Sequence, residues 1–518
     1  MKNIFTALLF VSKLSLAVCQ DSLIRKNEIN YSSDFERSVF YNFFHQNDLD
    51  QFAKLFLTVT PSIEENQAKA IEEKISGIVQ SIQKEGIESK KSNKKMKVIY
   101  DKIHDPLLKK YELENRFYEM FSSGSYNCVT ATALYAIIFD KLKIPYEIKE
   151  KPTHVYLLAY PNQENILIET TSPLFGYISF NDEFKYQFIS NLKKQKIIGS
   201  GESEKTTDEL FNQYYFKNEN ITLRELVGIH YMNDALFKRD HGKWKEGYYQ
   251  LEKAYLFYPS QRCRYLLMAF GVEIITKEKL QPKEKSEFIG KLSRFQEEGI
   301  TIDMIKGEFS NLTQDLLFRE NNKMLYKECY EIISNKITDK ELSKDIAYIF
   351  NYENGRAYYN LGNFHRAKPF FKKAFLLQPN NLDLGGIFIG VISQTLRAIE
   401  NEPSVLDSLN LYKKEYPSLA QFNSFNSMLA NSLIVQYGDS FDKGNVKSAE
   451  EYKKSFDGLL QENPSINLNP YSIGKAFSSA CSYYFKKGQK NKAREILNEG
   501  LKISPDNYQL RTRLQMIH

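Results

Sequence analysis

Three glycines far apart in the chain carry the same downstream pattern, and that repetition limits what the chain can fold into. From Gly242, Gly362 and Gly488, small residues stand five positions on (Gly247, Ala367, Ala493) and again at twelve (Ala254, Ala374, Gly500). A large apolar residue stands at nine (Leu251, Phe371, Leu497) and a proline at seventeen (Pro259, Pro379, Pro505). Small residues at five and twelve let two helices approach closely. The large residue fills the groove, and the proline stops the second helix. The pattern predicts helix–turn–helix units.

These offsets resemble the tetratricopeptide repeat, a helix–turn–helix unit of about 34 residues. The fullest copy runs from Tyr348 to Asn381, with Gly355, Tyr358, Gly362, Ala367, Phe371, Ala374 and Pro379 in place. The other two copies depart from it. Lys238 stands where Tyr358 does, and Cys481 stands where Gly355 does, small enough to read as a packing residue. Each interval between the three glycines has room for two or three further helix pairs. Residues 221–518 therefore read as an α-solenoid of tetratricopeptide type with degenerate middle units. Such a solenoid is expected to hold a protein or peptide in its groove.

At 518 residues the chain has length for roughly three domains. Its formal charge of +6 comes from 70 basic and 64 acidic residues spread along the whole length. Nucleic-acid binding needs a clustered basic face, so no nucleic-acid partner is expected. The densest basic group, Lys90, Lys91, Lys94, Lys95 and Lys97, has no aromatic interleaving and reads as a solvated face. The seven His are scattered, and no metal-binding or phosphate-binding motif occurs, so neither a cofactor nor a metal is expected.

The N-terminus has the layout of a secretory signal: Lys2, an apolar run from Ile4 to Val11, then Leu14 to Cys19 before polar Gln20. Cleavage before Gln20 would make residues 1–19 a signal peptide and the protein an exported one, periplasmic or at the cell surface. A second reading makes Cys19 the first mature residue, lipid-modified, because Leu16-Ala17-Val18-Cys19 resembles a bacterial lipoprotein signal. Only then is a membrane contact expected. A third reading is a buried N-terminal helix. The other thiols, Cys128, Cys263, Cys329 and Cys481, are far apart and form no CxxC pair.

Between these ends the texture changes. Residues 20–99 read as an N-terminal helical segment, with apolar residues at three- and four-residue steps such as Ile75, Ile78, Val79 and Ile82. The helical pattern continues to about Phe121, where Ser122-Ser123-Gly124-Ser125 breaks it. Another helix follows from Asn127 and must end by Ile144, before Pro145. His154–Tyr160 and Ile166–Glu169 are short β-rich runs split by a turn, the one convincing hairpin.

Cys128, His154 and Glu169 all fall at element ends, where side chains converge. Cys128 opens a helix after a small-residue loop, where the N-terminal N–H groups and dipole favour a thiolate. His154 starts the first hairpin strand and Glu169 ends the second. That ordering supplies a nucleophile, a base and an orienting acid.

The stretch YNCVTATALYAIIFDKLKIPYEIKEKPTHVYLLAYPNQENILIETTSP, Tyr126 to Pro173, resembles a transglutaminase-like core, the α+β fold expected here over residues 100–200. More narrowly, it resembles a bacterial subgroup in which that core is followed by tetratricopeptide repeats. The resemblance rests on Asn127-Cys128, the Leu142, Ile144, Pro145 step, His154 and Glu169-Thr170-Thr171. It implies Cys128 as nucleophile, His154 as base and Glu169 as orienting acid, attacking an amide or isopeptide carbonyl and passing the acyl group to water, as a hydrolase does, or to an amine, as an acyltransferase does. The family usually has Asp at the third position. No Gln precedes Cys128 within forty residues, so the Cys128 N–H, with Tyr126 or Asn127, is expected to meet an oxyanion. The alternative is a scaffold that keeps this core without turnover and works through its repeats.

Overall fold

The computed structural model describes residues 23–46, 51–151, 154–170, 177–178, 182–194, 198, 205–215, 219–397 and 402–517. The expected signal and Cys19 lie outside the described residues, as do Thr171 and Pro173 of the motif above. The chain divides between Thr301 and Ile302 into two compact units.

The N-terminal unit begins with helices α1 (Asp34–Gln46), α2 (Phe52–Leu57), α3 (Glu65–Lys84) and α4 (Ser92–Leu107). Then come β1 (Lys110–Tyr111), α5 (Glu119–Ser122), β2 (Ser125–Tyr126) and α6 (Cys128–Leu142). Strands β3 (Tyr146–Lys151), β4 (His154–Ala159), β5 (Ile166–Ile168) and β6 (Tyr177–Ile178) follow. Helices α7 (Asp182–Lys194) and α8 (Thr207–Tyr215) precede β7 (Glu219–Ile221). The unit closes with α9 (Leu223–Asp240), α10 (Trp244–Phe257), α11 (Gln261–Lys277) and α12 (Pro282–Leu292).

Helix α6 organises this unit. Every residue from Val129 to Phe139 is buried, and a helix apolar all round must be covered all round. Helices α2, α3 and α9 pack against it together with β3 and β4. It stops where Lys143 turns left-handed at φ 55°, two residues before Pro145.

The hairpin expected from sequence is present as β4 and β5, with Leu157 opposite Ile168 and Ala159 opposite Ile166. It is part of something wider, a five-stranded antiparallel sheet of order β6-β5-β4-β3-β7. Strand β3, YEIKEK, carries too little apolar surface to announce itself. Its backbone is paired on both edges, with β4 from Tyr146–Ala159 to Lys151–His154 and with β7 at Ile148–Ile221. Tyr156, Leu158 and Leu167 share a cluster with Ile189 of α7 and with Leu210 and Phe211 of α8.

The N-terminal segment is tied down by buried charge. Lys253 of α10 bonds Glu36 of α1 at 2.8 Å, and Tyr231 of α9 donates to the same carboxylate oxygen at 2.8 Å. Arg294 holds Glu28 through two bonds of 2.7 and 2.8 Å. Among the described residues no helix is long and apolar enough to cross a membrane.

The C-terminal unit contains α13 (Ile302–Leu312), which runs into a π-helical stretch Thr313–Arg319, then α14 (Lys323–Lys336), α15 (Lys340–Asn360) and α16 (Phe364–Leu377). After these come α17 (Leu382–Leu396), α18 (Glu402–Glu415), α19 (Asn423–Asp442) and α20 (Val446–Glu462). Helices α21 (Pro470–Lys486), α22 (Lys490–Ile503) and α23 (Tyr508–Met516) complete it. In chain order, α11 to α14 lie between α10 and α15, and α17 to α20 between α16 and α21, so two helix pairs fit each interval.

The repeat turn is the same object each time. Gly242, Gly362 and Gly488 sit at φ 74°, 69° and 74°, a region glycine enters without steric cost. The residue after each donates back to the helix just ended: Lys243 to Lys238, Asn363 to Tyr358, and Gln489 to Tyr484. Gly444 makes a further turn of this kind at φ 74°, with Asn445 donating to Ser440. The sequence pattern misses it because Lys453 and Phe456 stand at positions nine and twelve, although Ala449 at five is in place.

Close approach makes a testable contrast between two helical glycines. A methyl at Gly438 would lie 2.7 Å from the Ala476 backbone, whereas one at Gly458 meets nothing within 4 Å. Gly438→Ala is expected to destabilise the C-terminal unit by about 1–3 kcal/mol. Gly458→Ala is expected to be neutral or to stabilise by about 0.5–1 kcal/mol. Thermal unfolding of the two variants side by side checks this, and equal melting temperatures would contradict it.

Candidate active site

Cys128 is the first residue of α6, and local sequence explains why the helix starts there. The Asn127 side chain accepts from the Thr130 N–H at 3.0 Å, and the Asn127 N–H donates to the Thr130 hydroxyl at 3.0 Å. The helix ladder leaves the N–H groups of Cys128 and Val129 without intrahelical carbonyls. Gly124, at φ 79°, turns the chain from α5 into β2, which pairs in parallel with β1.

The structure brings the three residues singled out in the sequence together. His154 Nε2 and Glu169 Oε2 are 3.2 Å apart, and the Cys128 side chain hydrogen-bonds the same imidazole. The strand register explains the reach required of the acid. Leu157 faces Ile168, so continuing the ladder sets Glu169 opposite Tyr156, two residues along from His154. The contact is diagonal, and the extra methylene of Glu over Asp helps the carboxylate reach across.

His154 is pushed up to about 9. Its hydrogen bond with Cys128 is the largest cause, the Glu169 bond comes next, and partial burial opposes both. Of the described free cysteines, Cys128 is the one that is not buried. Burial pushes the Cys263 thiol up to about 12. Cys481 packs in the repeat core, in the place its small size suggests.

Two expectations about the oxyanion donor meet different outcomes. Asn127 is committed elsewhere: its amide donates to the carbonyls of Leu113 at 3.0 Å and Asn115 at 3.4 Å, while its oxygen caps the helix. It is a buried cap and has no donor to spare. Tyr126 is buried against Tyr111 and His104. Tyr111 is not marked by the sequence pattern, yet its phenol hydrogen-bonds the Cys128 side chain. Burial first, and then the neighbouring sulfur, raise that phenol, so Tyr111 keeps its proton and can donate it. Nothing local in KKYELE singles this residue out. Tyr111 is brought to Cys128 by the parallel pairing of Tyr111 with Tyr126.

Cys128 and His154 open onto a cleft of about 250 Å³. Strand β3 and the start of β4 contribute Glu150, Lys151 and His154, while α9 and α11 contribute Ile229, Met232, Asn233, Leu236 and Leu266. Arg262 of α11 bonds Glu150 of β3 at 2.6 Å, and the Tyr258 hydroxyl donates to the other Glu150 oxygen at 2.6 Å. Helix α11 and the turn before it are thus strapped to the sheet that carries the histidine.

Comparison with known proteins bears on the helical repeats. No curated protein matches the chain. Of 27 solved chains that match, one belongs to "Structure of Naa15/Naa10 bound to HypK-THB". The two are 12% identical over 65% of this chain and 58% of that one, with a TM-score of 0.18. The chain therefore spans less than two thirds of that protein's length. The sequence model of the Tetratricopeptide repeat family matches residues 350–381 and 480–507. Those two segments, α15–α16 and α21–α22 with their glycine turns, are tetratricopeptide repeats.

Proposed function

We propose that the N-terminal unit is a thiol-dependent hydrolase of amide or isopeptide bonds with a transglutaminase-like core, and that the repeats hold its protein partner. One observation carries this reading: a single imidazole, His154, is bonded both to Cys128 at a helix start and to Glu169, beside an open cleft. In the reaction His154 takes the Cys128 proton, and the sulfur adds to the substrate carbonyl carbon. The oxyanion is met by the N–H groups at the head of α6. His154 then gives its proton to the departing amine as the C–N bond breaks, leaving a thioester on Cys128. Water, giving a proton to His154, adds to the thioester and expels the sulfur, which recovers its proton. Glu169 holds the imidazole in register and stabilises its cation. The leader-like residues 1–19 support an exported setting.

The test is the rate of iodoacetamide alkylation at Cys128, read by mass spectrometry at pH 6.5. Wild type is expected to react on the order of a hundredfold faster than a free cysteine, which is only slightly ionised at that pH. His154→Ala should remove most of that advantage. A Cys128 no faster than free cysteine, or a variant without effect, overturns the enzymatic reading and leaves a repeat scaffold.

A further inference from the structure

We propose that the aliphatic wall of the cleft shared with the thiol selects a polypeptide carrying an aliphatic side chain next to the carbonyl under attack. This inference rests on the proposed reaction at Cys128. Ile229, Met232 and Leu236 recur at three- and four-residue steps on α9, so they share one face, and that face lines the cleft. Leu266 joins them from α11. A cleft of about 250 Å³ admits side chains of an extended segment rather than a folded surface.

Charge at the rim argues against an acidic or basic side chain there. Arg262 is bonded to Glu150 at 2.6 Å, and Lys151 sits 5.1 Å over the Tyr156 ring. A charged substrate side chain entering between Ile229 and Leu266 would lose water and meet aliphatic carbon, a costly exchange. Asn233, between Met232 and Leu236 on the same helix face, supplies an amide group for the substrate main chain. The residues that give specificity therefore come from helices beyond the α+β core, and Arg262 fastens α11 to β3 beside them.

Two chloromethyl ketones test this, acetyl-leucine and acetyl-aspartate, each calibrated against free cysteine, with iodoacetamide as the reference reagent. Each alkylates sulfur with loss of chloride and places its side chain beside the reacting carbonyl. Cys128 is expected to prefer the leucine reagent by about tenfold or more. Leu236→Asp and Leu266→Asp, both at half-buried positions, should erase that preference when each ketone rate is divided by the same variant's iodoacetamide rate. Fast iodoacetamide alkylation with equal rates for the two ketones overturns the selectivity and leaves the thiol reading standing. Slow iodoacetamide alkylation of wild type overturns both. If a variant loses its iodoacetamide rate by misfolding, the wild-type ratio alone decides.

Discussion

Lys253→Met is expected to cost the N-terminal unit about 3–5 kcal/mol, because it strands a charge inside the protein. Glu36 is fully buried, and its carboxylate accepts from Lys253, from the Tyr231 hydroxyl, and from the Ser32 N–H and hydroxyl at 2.6 and 2.9 Å. Burial pushes the Lys253 ammonium down and Glu36 draws it back, so the two charges depend on each other. Met matches the length of the lysine stem and removes only its charge. The calorimetric transition of this unit should fall by on the order of 10 °C. Adding Glu36→Gln should recover part of the loss, since the stranded charge is then gone. A single variant that melts within about 2 °C of wild type, well inside that expected shift, would show that water or a rearranged partner compensates Glu36.

His154 should titrate near 9 in the folded protein, well above the ordinary value of 6.5. The order of causes predicts the order of variants. Cys128→Ala should bring the imidazole down further than Glu169→Gln, because the sulfur bond is the larger contribution. Stability follows the same group. A histidine raised on folding contributes stability that is fully present below 6.5 and is lost as pH rises through about 9. Wild type should therefore lose stability across that window more steeply than Cys128→Ala. The ring-proton NMR titration checks the first statement, and urea unfolding on either side of that window checks the second. A midpoint below 6.5 in wild type, where burial alone would put it, would mean that neither partner engages the ring in solution.

What the sequence alone determined is what short-range chemistry controls. Turn glycines, small residues at helix contacts and the prolines after them act over a few positions, so the repeat units are countable along the chain itself. The same holds for the start of α6: Asn127 and Thr130 form its cap within four residues. The pairing of β4 with β5, which leaves His154 and Glu169 together at the hairpin's open end, is likewise marked by the turn between them. The turn at Gly444 escapes because a charged Lys453 and a bulky Phe456 occupy positions that are apolar and small after the other three glycines.

Only the tertiary structure decided the rest. Strand β3 exists because β4 and β7 pair with it, and Tyr111 meets Cys128 because β1 and β2 align in parallel. Glu36 finds Lys253 across a separation of 217 residues. The aliphatic wall of the cleft that holds the thiol is made by α9 and α11, whose local pattern speaks only of repeats. Pairings of this kind join residues distant in the chain, and their free energy comes from backbone bonds, burial and charge that exist only once the chain has closed on itself.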